Sequence, residues 1–581
     1  MWVNGGAYPL RRVEEVIGRE YDYIVVGGGT AGSALASRLS ESPETTVLLL
    51  ERGPFDDSLR SRIPLASAAN GSYVVNRSSI PEPQTGDQPV SLLFAETLGG
   101  TSRINGMVYT RGAPAYFERW SQHGFDWGWA HVKPYFEKVE QIVSLRQTSH
   151  LESAVHPFLA QSAHELGLLS EEDPNQDGSF ALGYLNFDLT IDQKGNRHSA
   201  FHAYLPRDVA IQRQSVLHIC TDVIVSHLDV DGRNGIARGV YLSSSKADQP
   251  TPTPHFVSAK REIILTAGAI CTPQILQLSG IGPEALLNRV GIPIARNLPG
   301  VGARLSDHIL LPISFEVPIE DSMQQLQVSV ISVIKNVLLY AIAGKGWLKS
   351  AIDRGIFFST SHIDDETGLL RETKATGDPF DPGHLPDAEI IVLPIGTVPA
   401  KNAGRGVFTL QLCLTQPSLA STGDVVVQSV DAKQSPQIRL NMLRSEEDQR
   451  VARKALRFTL RLAEQFVFRS GYPKSARMFQ HPATDSTGGE WTQGSWSSVS
   501  DASLDDYIRK NMTSSYHLTS SCYMGKEEDG GVVDGQLRVH GFPNLRIADA
   551  SILPTAHPAH PMASVYMVAE RCADFVKERW R

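Results

Sequence analysis

Cysteine is scarce. The 581 residues contain five, Cys220, Cys271, Cys413, Cys522 and Cys572, an odd number, widely spaced and without a CxxC pair. That excludes a disulfide framework and a cysteine-based zinc site; no other metal site is encoded, and a reducing compartment is expected. A basic surplus is missing as well, since 54 Lys and Arg stand against 63 Asp and Glu, a net charge of −9. Nothing remains to neutralise a phosphate backbone, and nucleic acid is not an expected partner. Long apolar runs are also lacking. The longest, Val328 to Ala343, is broken by Ser329, Ser332, Lys335 and Asn336 and falls short of the roughly 20 residues a bilayer crossing needs, so no integral membrane segment is expected. Leu326, Val330, Val333, Val337, Leu338 and Ala341 recur at helical spacing. The stretch therefore reads as an amphipathic helix packed against the core, with a substrate-funnel wall or a membrane-surface contact as the alternatives. The opening residues lack a signal peptide's apolar run, which points to a cytoplasmic location. The triplets at Asn70, Asn76 and Asn511 then read as chance matches to a glycosylation pattern.

What is present is apolar residue and glycine: 41% of the chain is hydrophobic and 48 residues are glycine, enough for two large domains. Residues 21–53 run from an apolar strand (Tyr23 to Val26) through a glycine turn and a helix (Ala31 to Leu39) to a second strand (Val47 to Leu50) closed by Glu51. This is the βαβ order of a dinucleotide-binding fold. Gly27 permits the tight turn, Gly29 lets backbone approach a pyrophosphate, and Gly32 lets helix and strand pack closely, while Thr30 and Ala31 open a helix whose N–H groups face the phosphates. Glu51 is placed to accept hydrogen bonds from a ribose diol; an acid there disfavours a 2′-phosphate and leaves FAD or NAD.

Further along come LGGTSRINGMVYTRG (Leu98 to Gly112), GAICTPQILQLSGIGP (Gly268 to Pro283), NLPGVGARLSDH (Asn297 to His308) and a carboxyl-terminal run from Ser515 to Asp574. In these motifs, and in their order over nearly the whole chain, the sequence resembles the glucose–methanol–choline (GMC) family of FAD-dependent oxidoreductases. The resemblance implies that Leu98, Gly99, Gly100, Asn105, Gly106 and Met107 run past the flavin, the glycines allowing backbone to lie against a flat ring and Asn105 adding an amide for its polar edge. One branch of the family attaches FAD to a histidine that aligns with Ile104, and an aliphatic chain cannot make that bond, so FAD is expected to be held noncovalently. Val223 matches a branched residue near the adenine, and Asp549 and Ala550 match a stretch that flanks the flavin. Glu96 departs from the family, which usually has a basic or amide residue there.

The resemblance also singles out two histidines among the 18. His517 and His560 match the family's catalytic pair; His557 does not. Oxidising an alcohol requires removal of the hydroxyl proton as hydride leaves carbon, and a neutral imidazole suits that task. His517 is assigned as the base and His560 as the group that orients the hydroxyl. Pro561 and Met562 then open a helix whose N-terminal dipole would favour negative charge on a reduced flavin. After His517 the family's usual proline, glycine and threonine are replaced by Leu518, Ser520 and Ser521. Cys522 beside them reads as an inert buried thiol.

In the middle of the chain, Glu389 to Val392, Val407 to Leu414 and Asp424 to Gln428 read as strands and Glu446 to Phe466 as a helix. The loop-rich stretches Asp364 to Pro386 and His481 to Ser500 read as solvated loops, or as a lid. The expected fold is α/β, with a Rossmann-type FAD-binding domain (15–158, 206–312 and 512–581) interleaved with a substrate-binding domain (159–205 and 313–511) built on an antiparallel sheet with helices on one side. The expected activity is oxidation of a primary or secondary alcohol, with oxygen or another carrier as electron acceptor, by a monomer or homodimer. The alternative is a redox-neutral cyclase or lyase that uses the histidines for acid–base chemistry while FAD is structural.

Overall fold

The structure is a computed structural model. It describes residues 7–67, 71–122, 124–147, 153–168, 174–175, 182–245, 255–349, 352–371, 378, 380–396, 398–400, 402, 404–415, 419–473, 475–482 and 491–581. Two seven-stranded sheets organise them. The first is parallel at its centre, with Glu20–Val26 between Val47–Leu50 and His255–Leu265. Leu217–Cys220 extends one side, and Leu545–Ile547 joins from the far end of the chain. An antiparallel pair, Val223–Asp231 and Ile236–Ser244, completes the other edge. Val26, Leu50 and Leu265 end in register, so the strand ends where a nucleotide binds in such sheets are brought side by side.

These strands are Val, Ile and Leu runs buried on both faces, as a parallel sheet covered by helices requires. The helix Thr30–Leu39 covers one face and packs on the last helix, Met562–Arg579. Arg546 and Glu262, both fully buried, join Leu545–Ile547 to its neighbour through a 2.6 Å contact. Removing one partner of such a pair costs about 3–5 kcal/mol because the other charge is left buried alone.

The second sheet is antiparallel. Its order is Arg477–Gln480, Ile309–Pro318, Arg405–Leu414, Ala388–Leu393, Arg354–Phe358 and Gly183–Asn186, with Thr513–Ser514 beside Ile309–Pro318. The helix Glu446–Arg469 lies on it. Ser445 caps that helix by accepting from the Asp448 N–H, and Glu446, Glu447 and Asp448 fill its first turn, where acids complement the dipole. The mixed architecture is the expected one: a parallel dinucleotide-binding sheet together with an antiparallel sheet and its helix.

One expectation fails. The apolar stretch before Ala343 does form helices, Gln325–Val328 and Val330–Ala343, but the second does not pack into the core. Asn336 is its only buried residue, and Val330, Ile331, Ile334 and Ile342 are exposed. Nor does it wall a funnel, since none of its residues lines the large cavity described below. Helical spacing of apolar residues shows that a helix has an apolar face, not what covers it. Among the described residues no helix is long and apolar enough to cross a membrane.

Candidate active site

A cavity of about 690 Å³ runs from the ends of the parallel strands to the edge of the antiparallel sheet. Gly27, Gly29, Thr30, Ala31 and Glu51 line one end, with Val223 beside them. Gly100, Asn105, Gly106, Met107, Asp549 and Ala550 line the middle, and His517, His560, Pro561 and Met562 line the other end. Gly32, Leu98 and Gly99 do not line it. Gly32 sits where a Cβ would meet the Gly27 carbonyl oxygen at 1.8 Å, so it serves helix–strand packing as its place in the turn predicts. Leu98 and Gly99 stand one layer back: Gly99 N–H donates to the Gly28 carbonyl at 2.8 Å and Leu98 is buried against Gly28. Their role is to back the glycine turn.

The nucleotide end is pre-shaped. Gly27 has φ +104°, and a Cβ there would fall 2.7 Å from the Thr266 carbonyl oxygen. Glu51 accepts the Gly28 and Gly53 N–H groups, each at 2.8 Å, and burial pushes its carboxyl up to about 7 against those donors. Each of its oxygens keeps a second lone pair for a ribose hydroxyl. Glu96 lies between Arg52 (3.4 Å) and Arg77 (2.9 Å), which compensates locally for its unusual charge.

In the middle, Asn105 Oδ1 accepts from the Met107 N–H at 3.1 Å and from Arg197 at 2.9 Å. Arg197 is buried; desolvation lowers its guanidinium to about 9. It also donates to Ser67 and to the Ser102 and Pro64 carbonyls. Nothing in the local sequence marks this residue, because its partners are scattered between Pro64 and Asn105. The Asp549 carboxylate accepts from the Gly268 N–H, Thr272 Oγ1 and the Ser551 N–H, so it starts the helix Gly268–Leu278 and shapes the cavity wall through its backbone.

The histidines meet at the far end. The His517 and His560 rings are 5.1 Å apart, centre to centre, and nearly perpendicular. His517 Nδ1 is 2.9 Å from His308 Nδ1 and 3.3 Å from the Ser515 hydroxyl. Asp307 accepts the backbone N–H of His517 at 2.9 Å and of His308 at 2.8 Å, and Ser514 donates to it too. His308 and Asp307 therefore fix the loop that carries His517, and both stand at the end of the Asn297–His308 motif without having been singled out. Tyr516 and Ser520, on either side of His517, have φ +61° and +70°. This left-handed conformation costs a non-glycine residue roughly 1–2 kcal/mol, and the Ser520 N–H, bonded to the Ala550 carbonyl at 3.1 Å, helps to hold it.

Burial holds all four imidazoles neutral: His560 and His308 fall to about 3, His557 to about 4, and His517 lies well below the ordinary value, pushed further by its histidine neighbours. His557 packs its ring on Tyr116 and accepts from the Ala559 N–H at 3.1 Å. Cys522 is buried, which pushes its thiol up and leaves it unreactive.

Sequence reading also passed over Glu389. It sits on the inward face of Ala388–Leu393, fully buried, with Oε1 3.8 Å from His560 Nε2 and neither oxygen hydrogen-bonded. Burial pushes its carboxyl up to about 8. Within a strand that reads as apolar, only the contact with His560, from a distant segment of the chain, reveals it. The described parts of Asp364 to Pro386 and His481 to Ser500 contribute no lining residue; the rest of both stretches, like Asn70, lies outside the described residues.

Comparison with known proteins agrees with this geometry. The GMC oxidoreductase profiles match residues 21–310 (N-terminal part) and 420–569 (C-terminal part). The chain belongs to the GMC oxidoreductase family. Among curated relatives of this GMC protein, an oxygen-dependent choline dehydrogenase of Serratia proteamaculans is 31% identical over 584 residues, covering 96% of each chain. Another, from Chromohalobacter salexigens, is 31% identical over 585 residues, covering 97% of this chain and 95% of the relative. Among solved structures, a formate oxidase variant of Aspergillus oryzae RIB40 superposes with TM-score 0.80 at 24% identity, covering 97% of this chain and 99% of the other. A fungal aryl-alcohol oxidase superposes with TM-score 0.78 at 22% identity, covering 96% and 99%. At those identities the structures speak for the fold. As a GMC oxidoreductase the protein is an FAD-dependent enzyme acting on CH–OH donors.

Proposed function

We propose that this protein oxidises a primary or secondary alcohol, with His517 accepting the hydroxyl proton and His560 orienting the hydroxyl. The observation that carries the reading is the pair of neutral imidazoles at one end of a cavity whose other end is a nucleotide cradle. FAD, when bound, supplies the hydride acceptor at flavin N5. The glycine turn at Gly27 and Gly29, the Glu51 carboxylate and the Asn105–Met107 segment would hold it, and Ile104, which lines the cavity, offers no nucleophile for a covalent link.

The contact between His517 Nδ1 and His308 Nδ1 supports His517 as base. In the tautomer with the shared proton on His517 Nδ1, Nε2 is the unprotonated lone pair that a general base needs. The Met562–Arg579 helix begins beside His560 with no acid in its first turn, which leaves its positive end available to negative charge developing in the cavity. The choline dehydrogenases among its relatives support a small alcohol as substrate class.

The test is anaerobic mixing of the yellow holoenzyme with a panel of alcohols, followed at the oxidised-flavin band near roughly 450 nm. The band is expected to bleach as carbonyl product forms. Product with the band unchanged would instead support the redox-neutral cyclase or lyase. His517→Ala and His560→Ala should each retain FAD and slow the bleaching by about 10²–10⁴-fold; an undiminished rate in either removes that residue from the mechanism.

A further inference from the structure

The helix Val330–Ala343 carries a feature that alcohol oxidation does not use. At 100° per residue its exposed apolar residues, Val333, Val337, Val330, Ile334, Leu338, Ile331 and Ile342 in rotational order, cover an arc of about 180°. Ile331 is 80% and Ile342 is 83% exposed. The opposite side is anchored. Asn336 is buried and accepts the Trp347 N–H at 2.9 Å, and Tyr340 donates to the Gly195 carbonyl and Asn196 at 3.3 and 3.2 Å. The helix is thus held as an exposed apolar ridge.

A collar of cations borders it. Lys335 lies at the margin of the arc, Lys345 and Lys349 follow the helix, and the Lys194 backbone packs against Gly344. Arg146 and Lys345 crowd Lys349 closely enough to lower its pKa, after desolvation. None of these five cations forms an ion pair among the described residues. The nearby Asp192 is engaged by the Lys194 and Asn196 N–H groups.

We propose that this ridge and its collar are a docking face for an anionic lipid bilayer, with the helix lying in the interface and the cations on the headgroups. An apolar arc flanked by Lys and Arg is the composition of interfacial helices, and each cation near an anionic surface adds about 1 kcal/mol. A second copy of the chain is a poorer occupant, because a two-fold contact through this face would set one uncompensated collar against another. Ile352, shortly after Lys349, lines the cavity, so the face is continuous in sequence with the cavity wall.

Flotation of the holoenzyme with phosphatidylcholine vesicles containing about a third phosphatidylserine tests this. The wild type is expected to float with these vesicles at low salt and to bind at least about tenfold more weakly to pure phosphatidylcholine or at high salt. The triple variants I331N/I334N/I342N and K335E/K345E/K349E should each lose about tenfold in binding to the anionic vesicles. Both should keep the flavin spectrum, the melting temperature and turnover of a water-soluble alcohol, which certifies that they fold. Absence of wild-type binding to anionic vesicles overturns the proposal, as does undiminished binding by both variants. So does light scattering that shows a dimer split by I331N/I334N/I342N when no vesicle binding occurs.

Discussion

Glu389 shows how much a single side chain can weigh in a packed site. Its carboxyl is fully buried without a hydrogen-bond donor, and burial lifts it from the ordinary carboxylate range to about 8. Between roughly pH 4.5 and the folded value of about 8, the unfolded chain has lost this proton and the folded protein keeps it, so the folded state loses stability as pH rises through that window. Glu389→Gln should remove this slope. Melting temperatures of wild type and variant are expected to lie close together near pH 4.5 and to separate progressively, with the variant the more stable near pH 8. Parallel curves across that range would mean that Glu389 stays ionised in the folded protein. His517 and His560 carry the opposite shift: their neutral forms persist far below pH 6.5, so a proton-accepting role for them imposes no activity loss between pH 5 and 7.

At the scale of elements, the βαβ unit was legible almost residue for residue. Tyr23 to Val26, Ala31 to Leu39 and Val47 to Leu50 lie within or coincide with the observed elements. Glycine turns and apolar strands announce themselves through local sterics, which sequence carries directly. Gly32→Ala tests the tightest point. Its Cβ would lie 1.8 Å from the Gly27 carbonyl oxygen and 2.7 Å from Thr266 Oγ1, so helix and strand must separate. The variant should lose FAD and at least about 3 kcal/mol of stability, the range expected of severe backbone clashes in a core; a yellow protein of wild-type melting temperature would show that the turn can relax. The helix before Ala343 was equally legible as a helix, and its burial was misjudged. Spacing reports which residues share a face, whereas coverage depends on chain elsewhere.

At the scale of the molecule, the cavity takes walls from Val26 near one end of the chain to Val565 near the other, and from both sheets. A cofactor bound there contacts segments that the unfolded chain keeps hundreds of residues apart, so FAD is expected to act as a folding ligand. Added FAD at about 100 times its dissociation constant should stabilise the apoprotein by about 2.7 kcal/mol at 25 °C, read as a raised denaturant midpoint. An unchanged midpoint would mean that the cradle forms only after another event.

By itself, the sequence determined the features that depend on near neighbours: the dinucleotide turn, the strands and helices, the family motifs and the two histidines within them. Tertiary structure alone decided the rest. It placed His308 against His517, Arg197 against Asn105 and Glu389 beside His560, and it left the ridge of Val330–Ala343 uncovered. The physical reason is distance along the chain. A backbone turn is dictated by the sterics of adjacent residues, but the charge, tautomer or exposure of a side chain is set by whatever the fold packs against it.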